Sequence, residues 1–242
     1  MSASAPELAR LLEHPAIWRG RSAARTESLP TGFGALDPCL PGGGWPRTGL
    51  IEILVSRFGV GELYLLLPAL AALTRQPLAR WCVWISPPLE PYAPALAAYG
   101  ADLERILVVR PSDQRGNPQR GRPSGDRAVS EGTPSGGQRE NPQRGRPSES
   151  LWAFEQTLGS GASDIALAWA ARNPSPRAIR RLQLAAERGK TLGVLFRPRH
   201  AARESSAAVL RIMVEPKPQG ARVTLLKSRG GARGAIDLEW VE

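Results

Sequence analysis

The chain is poor in the residues that carry most side-chain chemistry. Among 242 residues there are two cysteines, two histidines and two methionines. Cys39 and Cys82 lack the close spacing of a zinc or redox motif, which excludes a cysteine metal centre and a disulfide framework and predicts a reduced, cytoplasmic setting. His14 and His200 stand alone in the sequence, so neither a histidine metal site nor a Ser-His-Asp triad has support. Long hydrophobic runs are absent too. The longest, Leu63 to Leu73, has 11 residues and contains Pro68, far short of the roughly 20 that span a bilayer. The N-terminus carries Glu7 before any apolar run and has no signal-like segment.

Negative charge is the remaining deficit. The chain holds 32 basic and 22 acidic residues, a net charge of +10. Residues 1–111 are nearly balanced, with 10 basic and 9 acidic residues. Residues 172–233 hold 15 basic and 3 acidic residues, which points to a polyanionic or acidic partner. The candidate contacts are Arg177, Arg180, Arg181, Arg188, Arg197, Arg199, Arg203, Lys227, Arg229 and Arg233. Arg177, Arg181 and Arg188 share a helix face that a purely solvated surface would also explain. The basic stretch Arg197–Arg203, which includes His200, follows a core strand and reads either as a short loop touching phosphate or a partner or as a solvated turn.

What is present reads as a layered α/β chain. Residues 1–27 form a polar arm with one amphipathic piece, Glu7 to Trp18, bearing Leu8, Leu11, Leu12 and Trp18. From residue 28 to 242, apolar strands alternate with helical segments, which predicts a mostly parallel sheet flanked by helices. The strands are Leu50–Val55, Trp81–Ile85, Ile106–Val109, Ile165–Trp169 and Leu192–Phe196. The helices are Leu63–Leu73, Pro94–Tyr99, Leu151–Leu158 and Arg177–Arg188. Ser175 is placed to cap the last of these, Pro176 to start it and Gly189 to stop it. Val209–Val214 and Ala221–Lys227 flank a Pro/Gly turn and predict an antiparallel hairpin at the sheet edge, with Ala235–Val241 as a further strand. Trp84 and Trp169 belong in the core, and Trp152 is expected to close the sheet end.

Residues 111–150 interrupt the domain. They are rich in Arg, Gly, Pro, Ser and Gln, and Asn117–Ser124 (NPQRGRPS) recurs unchanged as Asn141–Ser148. So little apolar surface cannot offset ordering entropy, which predicts a disordered insert expanded by repetition.

One segment carries the functional argument. An apolar strand runs into a loop with Gly59 and Gly61 and then into an apolar helix, the form of a phosphate-binding loop. A working loop of this kind needs Lys and Ser/Thr after its last glycine, for the phosphates and for Mg²⁺. Here Glu62 and Leu63 stand in those places. A carboxylate repels a triphosphate, and Leu63 offers magnesium no oxygen.

Taken with Thr31–Asp37 (TGFGALD), Gly42-Gly-Gly and Gly49–Glu52 (GLIE), this order of elements resembles the RecA-type ATPase core. More closely, the chain resembles the ImuA family, RecA-like and SulA-like proteins associated with translesion DNA synthesis. Leu151–Ala162, Ile179–Glu187, Ser205–Arg211 and Leu225–Gly231 carry that likeness, which spans about residues 28–110 and 151–232. It implies a RecA-like core with an antiparallel C-terminal edge. It places the activating glutamate after the second strand, where the chain has Pro88 (Ile85-Ser-Pro-Pro88), and the Walker B aspartate where it has Trp169. With Glu62, three separate requirements of phosphoryl transfer are missing, so ATP hydrolysis, a cofactor and a metal are not expected.

The implied role is a non-catalytic accessory or scaffold protein in SOS-linked mutagenic translesion synthesis, nucleoid-associated during DNA damage. Its implied partners are an inactive Y-family polymerase relative (ImuB-like), an error-prone replicative-type DNA polymerase and RecA itself, with DNA met directly or through them. The N-terminal arm and Arg197 to Arg233 are the expected interfaces. The alternatives are an ATP-dependent DNA-binding recombinase paralogue and a SulA-like cell-division inhibitor.

Overall fold

A computed structural model describes residues 27–111, 149–170, 173–228 and 234–240. The N-terminal arm up to residue 26, the repeat insert from 112 to 148, His14, Trp18, Arg229 and Arg233 lie outside the described residues. The structure is mixed α/β: a mostly parallel central sheet with antiparallel edge strands, flanked by helices.

β1 (Ser28–Leu29) and β2 (Trp45–Pro46) form a small antiparallel pair. The main sheet contains β3 (Gly49–Val55), β4 (Trp81–Ile85), β5 (Ile106–Val109), β6 (Ser163–Trp169), β7 (Leu192–Pro198), β8 (Leu210–Lys217), β9 (Gly220–Ser228) and β10 (Gly234–Glu239). Their order is β10-β9-β8-β3-β7-β6-β4-β5. The strands from β8 to β5 in that order are parallel, and β9 and β10 close one edge antiparallel. All seven residues of β3 are buried, as a parallel strand covered on both faces requires.

Alternation along the strands builds two cores. On one face Ile51, Ile53, Val55, Trp84, Trp169 and Phe196 pack with α1 (Leu67–Thr74) and Trp45. On the other, Leu50, Val83, Ile85 and Leu195 meet Phe154 and Leu158 of α3 (Glu149–Ser160) and Ile179 and Leu182 of α4 (Pro176–Gly189). A short helix, α2 (Ala93–Ala98), joins β4 to β5. No described helix is long and apolar enough to cross a membrane.

The strands Trp81–Ile85 and Ile106–Val109 have the expected bounds, and the predicted edge hairpin and last strand are present. Ser175 caps α4 as expected, its Oγ accepting from the Ala178 N–H at 3.3 Å, with Pro176 in the first turn. The C-terminal end differs from expectation. Gly189 is the last helical residue, and the left-handed cap is Lys190, with φ 49°. Gly189 is needed for close packing instead, because a Cβ there would lie 2.0 Å from the Leu158 carbonyl oxygen. Gly189→Ala would gain about 1 kcal/mol of helix propensity. Forcing α3 and α4 apart outweighs it, and urea unfolding is expected to show a net loss of about 2 kcal/mol. Trp152 is also a correction: at 55% exposure it lies on the surface of α3 rather than closing the sheet end.

The thiols differ in environment. Cys39 is half-buried and Cys82 fully buried. Burial first, and the negative charge of Asp164 second, push the Cys82 thiol up from 9.0 to about 12. A thiol raised this way favours the fold fully below pH 9.0, and the contribution is lost as pH rises towards about 12. At about pH 8 a disulfide reagent is expected to label Cys39 readily in the native chain and to reach Cys82 only on unfolding. Fast labelling of both thiols would contradict this placement.

Candidate functional site

β3 delivers the chain into the loop 56–62 at the C-terminal edge of the sheet. Gly59 (φ 82°) and Gly61 (φ 94°) hold left-handed backbone there, conformations that favour glycine. They turn successive N–H groups inward as a nest, a concavity that attracts anions. Glu62 fills it. Its Oε1 accepts from the Gly59 N–H and its Oε2 from the Val60 N–H, both at 2.8 Å, and the residue is only 2% exposed. The carboxylate expected from sequence to repel phosphate takes two of the donors that a phosphate would use.

The helix after the loop is also altered. A 3-10 turn, Tyr64–Leu66, intervenes, and α1 starts only at Leu67. The helix N-terminus, which in a phosphate-binding loop points its dipole at the anion, is set back by a full turn.

Above the loop opens a cavity of about 240 Å³. Gly59, Glu62, Leu63, Pro88 and Trp169, singled out separately in the sequence, all line it. Leu67, Trp84, Leu89, Tyr92, Leu96 and Tyr99 complete a largely apolar wall. Trp169 stacks on Phe196 (centroids 4.8 Å, planes 16° apart) and tilts against Trp84 at 6.0 Å. An indole thus stands where the resemblance calls for a metal-positioning carboxylate. Ser86, with φ 50°, turns the chain from β4 into Pro87-Pro88, and Pro88 replaces the expected activating glutamate. Gly61 faces away from the cavity, towards the Trp240 ring. Tyr64 lies against both Trp240 and Tyr99, and its hydroxyl accepts from the Tyr99 hydroxyl at 2.7 Å. The wall presents no cation to phosphate and no nucleophile beside a base. Among the described residues no group of three or more His, Cys, Asp or Glu could hold a metal.

The cationic candidates separate into distinct environments. Arg177, Arg180, Arg188, Arg199 and Arg203 are exposed. Arg181 pairs with Glu155, its Nε 3.1 Å from Oε1 and its Nη2 on Oε2. Lys227 is half-buried and donates to the Ser206 carbonyl at 2.7 Å.

Arg197 is a correction. Its side chain is 1% exposed and unable to meet a partner. Its Nη1 donates to Glu52 Oε1 at 2.7 Å, and its Nη2 to Glu204 Oε2 at 2.8 Å and to Asn173 Oδ1. Arg211 completes the cluster, with Nε on Glu52 Oε2 at 2.6 Å and Nη1 and Nη2 on the Glu204 and Ala201 carbonyls at 2.8 and 2.7 Å. Sequence reasoning missed Glu52 and Arg211 as partners. The available signal was one charge inside each of two apolar strands, Ile51-Glu52-Ile53 and Leu210-Arg211-Ile212, since such charges survive burial only when paired.

No family model matches the chain, and no curated protein does. Among solved structures, the crystal structure of SulA from Pseudomonas aeruginosa is similar to 61% of this chain and 97% of that one. The identity is 22% and the TM-score 0.40, a likeness too slight to bear on function.

Proposed function

We propose that this chain is a non-catalytic accessory protein on a RecA-like core, acting through protein–protein contacts in SOS-linked translesion DNA synthesis. The observation that carries the non-catalytic part is the Glu62 carboxylate seated on the Gly59 and Val60 N–H groups. A bound triphosphate would have to displace it, against its charge and without a lysine. The apolar cavity supports the same reading, because the places of the lost ATPase groups are lined by Leu63, Pro88 and Trp169. The strand order supports the RecA-like core. The loop strand β3 sits at the sheet's centre, and two strands separate it from β4, the next in the chain.

The pathway and partners rest on the sequence resemblance in Leu151–Ala162, Ile179–Glu187, Ser205–Arg211 and Leu225–Gly231. The partners are an inactive Y-family polymerase relative, an error-prone replicative-type polymerase and RecA. Deleting the coding sequence is expected to abolish most damage-induced mutagenesis, and the tagged chain to co-purify with the inactive polymerase relative. Unchanged mutagenesis, together with filamentous cells on overproduction, would overturn the proposal in favour of a division inhibitor.

A further inference from the structure

Between β4 and α2 the chain reads Ser86-Pro-Pro-Leu-Glu-Pro-Tyr92. Pro87, Pro88 and Pro91 fix their own φ angles, so the segment is stiff. It is also tied at both ends. The Ser86 hydroxyl bonds that of Ser150 at 2.7 Å, and Arg110 donates to the Pro87 carbonyl at 3.4 Å and pairs with Glu90. This segment walls one side of the cavity above the Gly59–Gly61 loop. Tyr92 and Tyr99, at either end of α2, add two phenol rings, and Trp84 and Trp169 add two indoles from the sheet. Tyr92 is 71% exposed, so the aromatic wall reaches the cavity mouth.

The charge in this wall has one sign. No Lys, Arg or His lines the cavity, and its two charged lining residues are Glu62 and Glu90. Glu90 has its counter-ion in Arg110. Glu62 has none among the described residues. It is buried, and its oxygens accept from the Gly59 and Val60 N–H groups. A buried carboxylate without a cation is costly, and aromatic rings attract cations through their electron-rich faces. The cavity is therefore complementary to a positive charge.

The wall also selects among cations. A calcium or magnesium ion needs several oxygen ligands, and no group of three or more His, Cys, Asp or Glu stands among the described residues. A primary ammonium brings three N–H donors, which a largely apolar wall would leave without acceptors. A methylated ammonium carries its charge beneath methyl groups, so it keeps the attraction to carboxylate and rings while burying apolar surface. At about 240 Å³ the cavity lies below the roughly 300–1,000 Å³ of drug-sized pockets, which suits a small head group.

We infer that this cavity binds a methylated ammonium group, carried either by a free solute or by a lysine side chain of another protein. Tyr92, Tyr99, Trp84 and Trp169 surround the methyl groups, and Glu62 supplies the opposite charge. The inference rests on the reading that nucleotide no longer enters this cavity.

The test is calorimetric titration of the full chain with choline chloride at constant ionic strength. The comparison ligand is 3,3-dimethyl-1-butanol, the uncharged carbon analogue of choline. Saturable choline binding is expected, at least about tenfold tighter than that of the alcohol. Tyr92→Leu keeps apolar bulk and removes the ring, and should weaken choline binding by roughly fivefold or more, whereas Tyr92→Phe should retain it. Tyr92 is exposed, and thermal unfolding checks that both variants stay folded. A short peptide bearing trimethyl-lysine separates the two sources. Tighter binding by the peptide than by choline assigns the site to a modified protein, and binding by choline alone assigns it to a free solute. No binding of either ligand would overturn the inference, as would equal binding of the alcohol or unchanged affinity in Tyr92→Leu. ATP with Mg²⁺ is titrated alongside. Saturable heat from ATP would overturn both this inference and the non-catalytic reading, whereas failure of choline and the peptide alone would overturn only the inference.

Discussion

Replacing Glu52 with alanine is expected to destabilise the fold by about 4 kcal/mol, the largest single-residue loss outside the apolar core. Glu52 is fully buried in the middle of β3, and each carboxylate oxygen is taken by a different guanidinium, Arg197 at 2.7 Å and Arg211 at 2.6 Å. Removing it leaves two cations in the interior without their shared counter-ion. The cost of the single change is therefore an uncompensated charge and not the net worth of the pair. A variant in which Glu52, Arg197 and Arg211 are all replaced by apolar residues of similar volume should recover most of the loss. Urea unfolding measures both. A loss below about 1 kcal/mol for Glu52→Ala would contradict a dry, paired cluster. The cluster also seats the exposed turn Arg199–Arg203, through Glu204 and the Ala201 carbonyl. Glu52→Ala should accordingly loosen that turn, read as faster hydrogen exchange at Ala201 and Glu204.

The second large effect is expected at Glu62. Two charge-assisted bonds at 2.8 Å hold the Gly59–Gly61 loop, each worth roughly 1.5–3 kcal/mol before water replaces it. Glu62→Ala should cost about 2 kcal/mol, since the freed N–H groups lie at a cavity that admits water. It should also uncover a nest able to take an external anion. Inorganic phosphate at millimolar concentration is expected to raise the melting temperature of Glu62→Ala and to leave the unaltered chain unmoved. Glu62→Gln should fall between, because its amide supplies one acceptor and sets an NH2 against the second N–H. Equal stability of all three chains, with no phosphate response in Glu62→Ala, would show that the carboxylate does not hold the loop.

The parallel sheet was legible because its strands are short, nearly continuous apolar runs between turn signals, as in Trp81–Ile85 and Leu192–Phe196. The loss of phosphate chemistry was legible as Glu62, Leu63, Pro88 and Trp169. That the loss had been filled was not. Sequence shows which group is missing, whereas the Glu62 side chain folding back on Gly59 and Val60 depends on left-handed backbone at two glycines. Arg197 misled for a related reason: a basic cluster reads as surface, and only pairing across β3, β7 and β8 reveals one member as a buried strut. Gly189 misled because its sequence position fits a helix stop, while its necessity lies in α3, some 30 residues earlier in the chain.

The most direct test of the central claim is a titration of the purified chain with ATP and Mg²⁺, with and without single-stranded DNA, reading bound nucleotide and released phosphate. The Glu62-filled nest and apolar cavity predict no saturable binding and no phosphate release under either condition. Micromolar binding, or DNA-stimulated turnover abolished by substitutions at Gly59 and Gly61, would contradict it and make the chain a working nucleotide-dependent protein.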